Sequence, residues 1–267
     1  IEKSLGSQFR TIEIQASALT DMGAKPVMLV RVDNACRIIR ARSISYNKVG
    51  RLDSLIHLNT SLNATKTREQ FNPQVPRGRN HDGISVAHID SGVNYLLPEF
   101  RDRLARDEHG RIRGWDFWDN DDRPFDIHIT TSPFFPLHHG TAVASILLRE
   151  APKSNLIPYR YPRPNMANMA NVIDAAASAR VRIVLLPMGS SRMSEWATFA
   201  SAAKKHQQIL FIISAGNNGQ NIDKIQLFPA SLTLENILVV TSADDFGRLA
   251  PDSNWGAESV DLMVPGE

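Results

Sequence analysis

Residues 84–92 read ISVAHIDSG, a short apolar run that ends on Asp90 and reaches Gly92 two residues later. A short, continuous apolar run that leads into a turn is typical of a strand buried on both faces. Two later runs have the same form, VRIVLL at residues 181–186 and ILFII at residues 209–213, and each leads into a glycine-containing segment. The sequence therefore predicts buried strands that end in polar turns.

Helical patterns alternate with these strands. We predict helices over residues 141–149, 166–180 and 194–207, the last capped by Ser194, and further strands over residues 155–159 and 237–240. Buried strands that alternate with helices are typical of a parallel sheet with helices on both faces. We therefore expect an α/β fold with a doubly wound, mostly parallel sheet. In such sheets, functional residues gather at the carboxyl ends of the strands.

The first part of the chain is less regular. Residues 26–32 and 38–44 predict strands, residues 52–62 predict a helix, and residues 72–83 read as a loop rich in Pro, Gly, Arg and Asn. This stretch is too long to be an ordinary lead-in to the strand that ends at Asp90. We expect residues 1–51 to form an N-terminal extension and residues 52–267 to form the main domain.

Composition excludes several classes of protein. The formal net charge is only +2, with no long Lys/Arg run, so nucleic acid is not an expected partner. Cys36 is the single cysteine, which rules out an internal disulfide. No apolar run reaches the length of a transmembrane helix, so we expect no membrane span.

Three polar residues lie next to predicted strands or helices, in the order Asp, His and Asn. Asp90 ends a strand, His139 stands in HHGTAVAS before the helix at 141–149, and Asn217 stands in SAGNNG after a strand. Acyl transfer by a serine needs a histidine base, an acid partner for that histidine and a donor to the oxyanion. Taken singly, these residues also fit a cap, a surface histidine and a turn, and His138 competes as the base.

The ordered set of segments resembles the subtilisin-like serine proteases, the subtilase family. Family elements Asp-Ser-Gly, His-Gly-Thr and Ala-Gly-Asn-x-Gly occur here in order, at Asp90, His139 and Asn217. Further matches are GWDF at 114–117, FPA at 228–230, DSNWG at 252–256 and VDLMVPG at 260–266. The resemblance covers roughly residues 55–267. It implies a serine endopeptidase in which Asp90 orients His139, His139 is the general base and Asn217 donates to the oxyanion.

The resemblance also implies how a substrate binds. A peptide or protein substrate would pair as an extended strand beside the segment after residue 186. The implied substrate-binding residues are Met188, Gly189, Ser190, Ala215 and Gly216. Pro187 departs from the family pattern and has no backbone N–H to donate there.

The family's nucleophilic serine, in Gly-Thr-Ser, is not among these 267 residues. We expect it on a C-terminal fragment of the same protein, because without its helix the apolar faces of the His139 helix and the adjacent strands would be exposed to water. The alternative is a catalytically inactive relative that binds peptides or partners. A nucleotide-binding domain is disfavoured, since Asp90 is not followed by Gly-x-Gly-x-x-Gly.

The resemblance carries three lesser expectations. Residues 1–51 are a candidate remnant of an inhibitory propeptide, as in a zymogen, with a cleavage site between Ser43 and Asn63. The chemistry needs no cofactor, but structural Ca2+ is open at the acidic run Asp119, Asp121, Asp122 and Asp126, with a solvated loop as the competing interpretation. Secretion is compatible with the family.

Overall fold

The computed structural model describes residues 11–21 and 23–266. They divide into two compact units. The first runs up to Pro73 and includes Ile127–Leu137, and the second consists of Gln74–Asp126 and the residues from His138 onward. The boundary after Pro73 differs from the expected boundary at residue 51, because strands on either side of residue 51 pair with each other. Part of the expected extension, residues 1–10, lies outside the described residues.

The first unit contains a five-stranded antiparallel sheet in sequential order. Its strands are β1 (Ile12–Thr20), β2 (Gly23–Val32), β3 (Ile38–Tyr46), β4 (Leu52–Leu58) and β5 (Ala64–Gln70). The helix predicted over residues 52–62 is therefore wrong. Apolar residues in that segment fit a helical period, but tight turns on both sides return the chain as hairpins.

One five-residue turn recurs in this sheet. An Asp or Asn accepts two backbone N–H groups with its side chain, and the residue three positions later has a positive φ. The three turns start at Asp33, Asn47 and Asn59, and their positive-φ residues are Cys36 (59°), Gly50 (76°) and Leu62 (61°). Only glycine adopts this conformation without a steric cost, so two of these turns are strained.

The second unit contains a seven-stranded parallel sheet. Its strands are β6 (Ile84–Asp90), β7 (Trp115–Asp116), β8 (Ser154–Arg160), β9 (Ile183–Leu186), β10 (Leu210–Ser214), β11 (Ile237–Ala243) and β12 (Leu262–Pro265). The strand order is β12-β11-β10-β9-β6-β8-β7, and all paired strands are parallel. This confirms the predicted α/β fold class. Strand β9 lies between β6, which ends at Asp90, and β10, which leads to Asn217.

Four helices accompany this sheet: α1 (Pro98–Arg101), α2 (His139–Glu150), α3 (Met169–Ser178) and α4 (Met193–Lys205). One sheet face, with Ala87, Val184 and Phe211, forms a single buried core with residues of α3 and α4 such as Ile173 and Phe199. Ser194 is not the cap of α4, because that helix begins at Met193 with Arg192 at the N-cap position. In the described part of the chain, no helix has the length and apolarity needed to cross a membrane.

Candidate active site

Asp90 and His139 meet at the carboxyl edge of the parallel sheet. Asp90 is the last residue of β6, and His139 is the first residue of α2. The Nδ1 atom of His139 lies 2.8 Å from Oδ1 and 2.9 Å from Oδ2 of Asp90. The Asp90 side chain is 2% exposed and that of His139 is 56% exposed. The carboxylate therefore holds the imidazole from the interior and leaves the rest of the ring open to solvent.

Each member of the pair shifts the pKa of the other. Burial alone would raise the pKa of Asp90, but the hydrogen bond from His139 and the nearby ring of His88 hold it well below its ordinary value. The hydrogen bond to Asp90 raises the pKa of His139, against the opposing effect of burial, and the negative charge of Asp126 adds to the rise. Asp90 is therefore ionised at neutral pH and stabilises the protonated form of His139.

Two further side chains place the N-terminus of α2. The Ser91 hydroxyl donates to Oδ1 of Asp126 at 2.6 Å and accepts from the N–H of Gly140 at 2.9 Å. The other Asp126 oxygen accepts from the N–H of Thr141 at 2.6 Å. The N-cap residue His138 makes no side-chain capping bond, so Ser91 and Asp126 satisfy helix donors that a cap would normally satisfy. A carboxylate at a helix N-terminus is also stabilised by the helix dipole.

Two glycines permit this close approach. A Cβ atom on Gly140 would overlap the carbonyl oxygen of Gly92. Gly92 itself has φ of 108°, and a Cβ atom there would lie 2.6 Å from the backbone of Phe125. The glycines that follow Asp90 and His139 in the sequence are therefore needed for α2 to reach the end of β6.

The two adjacent histidines, His138 and His139, have different partners. His138 has its Nδ1 atom 2.7 Å from the backbone carbonyl of Asp126, so its ring is engaged with the main chain. His139 alone of the two contacts a carboxylate through its ring. The competing assignment of His138 as the base thus loses its geometric support.

Asn217 lies just beyond β10 and is exposed to solvent. The loop that carries it is braced by Asn254, which is 1% exposed. The Asn254 side chain accepts from the N–H groups of Asn218 and Gln220 at 3.0 Å and donates to the carbonyl of Ala215 at 2.8 Å. These bonds on both sides of Asn217 fix the backbone from which its amide projects.

Residues expected to bind substrate follow β9 and β10. Met188 and Gly189 follow the end of β9, whereas Ser190 pairs with Phe228 through both its N–H and its carbonyl, each at 2.8 Å. Ala215 is buried, and Gly216 has φ of 93°. Ser190 thus has both of its strand-pairing backbone atoms engaged with Phe228.

Leu227 occupies the space between two of these glycines. Its Cδ2 atom lies 2.7 Å from the Cβ position of Gly216 and 3.4 Å from that of Gly189. One methyl group therefore lies against both segments that are expected to bind substrate.

Carboxylates of the acidic run mostly bind other protein groups. Asp119 binds Arg160 at 2.7 Å, Asp121 binds Arg123 at 2.9 Å, and Asp126 binds the start of α2. Within residues 11–21 and 23–266, no group of three or more acidic, His or Cys side chains is placed to hold a metal ion. Three of the four carboxylates of this run therefore have protein partners.

Sequence reasoning missed four residues that build the site, namely Ser91, Asp126, Asn254 and His88. Ser91 and Asn254 stand inside quoted motifs, so the motifs marked their positions without indicating what they bond. Asp126 was grouped with the acidic run, and its role depends on a helix that starts 13 residues later. His88 read as part of an apolar strand.

Fold and site together define a doubly wound α/β protein with a carboxylate–histidine pair at the carboxyl edge of its sheet. A model of the subtilase family matches residues 81–267, more than half of the chain. The chain therefore belongs to the subtilase family, as the motifs predict.

Two curated relatives are similar to this chain. The Thermophilic serine proteinase of Bacillus sp. (strain AK1) is 28% identical over 202 residues, which are 70% of this chain and 45% of that protein. The Minor extracellular protease Vpr of Bacillus subtilis (strain 168) is 28% identical over 156 residues, or 54% of this chain and 19% of that protein. The chain thus spans less than half the length of either relative.

Solved structures agree on the fold. A cold adapted subtilisin-like serine proteinase aligns with a TM-score of 0.54 at 23% identity, covering 74% of this chain and 70% of that one. A lanthipeptide protease aligns with a TM-score of 0.55 at 24% identity, covering 70% of this chain and 56% of that one.

Proposed function

We propose that this chain carries most of the catalytic domain of a serine endopeptidase. The observation that carries the proposal is the contact of His139 with Asp90 at the carboxyl edge of the sheet, with Asn217 beyond the end of β10 on the same edge. These are the acid partner, the base and the oxyanion donor that acyl transfer by a serine requires.

Each residue has a defined part in the proposed chemistry. Asp90 accepts a hydrogen bond from the Nδ1–H group of His139, which leaves Nε2 of the neutral ring as the acceptor for the proton of a serine hydroxyl. When that proton arrives, the Asp90 carboxylate stabilises the imidazolium. The Asn217 amide donates to the oxyanion, a role that contributes about 3 kcal/mol in a subtilisin.

The substrate in this proposal is a peptide or protein segment in extended form. Met188 and Gly189 continue from β9, which lies between the strands that lead to the dyad and to Asn217. An extended segment paired with these residues would run between the base and the oxyanion donor. Main-chain pairing gives affinity for any sequence, and side-chain pockets add specificity.

The nucleophile in this proposal comes from a further segment of the same protein. The sheet face opposite α3 and α4 is only partly covered along β9, β10 and β11, where Leu185, Ile212 and Val240 are half-buried. These residues and Pro187 line an open, mainly apolar cavity of about 260 Å3 beside Asn217. A serine-bearing helix from a C-terminal fragment would bury this surface and bring its hydroxyl to the edge that carries His139.

A fluorophosphonate probe tests the proposal. Full-length protein, with every polypeptide analysed by intact mass, should show one adduct on a segment outside these 267 residues. The variant His139→Ala should lose the label, and the matched variant His138→Ala should keep it. Absence of any adduct in folded full-length protein would leave the second candidate, an inactive relative that binds peptides through the same edge.

A further inference from the structure

His88 is a buried ionisable residue to which the proposed chemistry gives no part. It lies on β6 two residues before Asp90, so both side chains project from the same face of the strand. Its side chain is 0% exposed. Burial of an imidazole is costly unless its nitrogens find hydrogen-bond partners.

The Asp90 carboxylate lies close to the ring of His88. Its register partners in the neighbouring strands are Pro158 on β8 and Leu185 on β9, whose side chains have no polar atoms. The Nε2 atom of His88 lies 3.4 Å from Oδ2 of Asp90. In the described part of the chain, neither ring nitrogen makes a closer hydrogen bond. A closure of a few tenths of an ångström would give Nε2 a hydrogen bond of ordinary length.

The two oxygens of Asp90 are unequally engaged. Oδ1 faces Nδ1 of His139 at 2.8 Å and accepts from the backbone N–H of Ser91 at 2.6 Å. Oδ2 faces Nδ1 of His139 at 2.9 Å and Nε2 of His88 at 3.4 Å. Each carboxylate oxygen has two lone pairs, so Oδ2 can accept from both rings at once.

We propose that His88 is a positioning residue for Asp90, with a proton on Nε2 that it donates to Oδ2. His88 then fixes the carboxylate from inside the sheet, while His139 uses it from the solvent side. The opposite tautomer would direct a lone pair at a buried carboxylate, which is repulsive. The inference rests on the proposed function for its catalytic meaning, because an Asp90 fixed in this way holds His139 ready to accept a proton.

Tautomer states of the full-length protein give the first test, and this test needs no functional nucleophile. Long-range 15N–1H spectra at neutral pH should show a proton on Nε2 of His88 and a proton on Nδ1 of His139. A His88 ring with a bare Nε2 and its proton on Nδ1 would overturn the assignment. Any form of the ring with a proton on Nε2 supports it.

A matched pair of variants gives the second test. His88→Gln keeps an N–H donor near the position of Nε2, whereas His88→Leu removes it, and thermal unfolding identifies which variants fold. The 13C carboxyl signal of Asp90 should titrate about one pH unit higher in His88→Leu than in His88→Gln, since one lost charge-assisted hydrogen bond has that scale. Equal titration in two folded variants would contradict the proposal. If His88→Leu does not fold, the tautomer measurement decides.

These readouts separate the inference from the proposed function. Neither uses a nucleophile, so a protein without fluorophosphonate labelling can still show the Nε2 proton of His88. Conversely, a labelled, active protease with a bare Nε2 on His88 would overturn this inference alone.

Discussion

Replacing Asp126 by Asn tests whether α2 is held in place from outside the helix. Asp126 is fully buried, and its two oxygens accept from the Ser91 hydroxyl and from the N–H of Thr141, each at 2.6 Å. In Asp126→Asn, one of those oxygens becomes an NH2 group that faces a donor. One donor then loses its acceptor in a buried site, and the charge that favours the helix N-terminus is lost.

The expected cost follows from these contacts. A hydrogen bond to a charged group contributes about 1.5–3 kcal/mol, and an unsatisfied buried donor costs about 1–3 kcal/mol. We therefore expect Asp126→Asn to lower the free energy of unfolding of the second unit by about 2–4 kcal/mol. Loss of the Asp126 charge should also lower the pKa of His139, because that charge contributes to its rise.

Equilibrium urea unfolding, with an NMR titration of His139, measures both effects. Asp122→Asn is the matched control, since it makes the same change in the same loop at an exposed residue. That control should change stability by less than about 0.5 kcal/mol. If Asp126→Asn unfolds at the same urea concentration as Asp122→Asn, the external capping of α2 has no energetic weight and the reasoning is refuted.

Three further predictions concern the Asp90–His139 pair, Leu227 and the turns of the first unit. The pKa of Asp90 is lowered from 3.8 and that of His139 is raised from 6.5, so the stability that wild type gains over Asp90→Asn should be greatest between those values. This gain in stability should decline below pH 3.8 as Asp90 protonates and above pH 6.5 as His139 loses its proton. A pH-independent difference between the urea midpoints of wild type and Asp90→Asn would contradict the prediction. In active full-length protein, Leu227→Gly should raise kcat/KM for a peptide with Phe at the cleavage site about tenfold or more relative to one with Ala, because it opens the space between the segments that carry Gly189 and Gly216. An unchanged ratio would show that the substrate side chain binds elsewhere. Cys36→Gly should raise the free energy of unfolding of the first unit by about 0.5–1 kcal/mol by relieving a positive φ, whereas Gly50→Ala at the equivalent position should lower it. Thermal unfolding of the two variants should move in opposite directions.

The motifs identified Asp90 and His139 because the catalytic residues of the family lie in short segments at the ends of strands and helices. Asp90 and His139 are 49 residues apart in the sequence. They meet because β6 ends at Asp90 and α2 begins at His139. Their catalytic roles stay predictions, as do those of Asn217 and the substrate-binding residues. The parallel sheet could be predicted for a similar reason, since strands that are buried on both faces have continuous apolar sequences.

The sheet of the first unit was harder to read. Nearly all residues of β1 and β5 are exposed, so those strands carry no period of buried side chains. They are specified by pairing and by the recurrent turns, and such long-range pairing is not visible in a local window. The position of Asp126 in the site was hidden for the same reason, because its partners lie on other elements. His88 is only two residues from Asp90, and it was missed because it stands inside an apolar run.

The place of β9 between β6 and β10 has a mechanical consequence. The ends of β6 and β10 are separated by two interstrand spacings, about 10 Å, and backbone hydrogen bonds set that separation. Side-chain changes that loosen one end therefore leave the other end where it is. Energetic effects of substitutions around Asp126 and around Asn254 should then be additive, and the proton-transfer half and the oxyanion half of such a site can be altered independently during evolution.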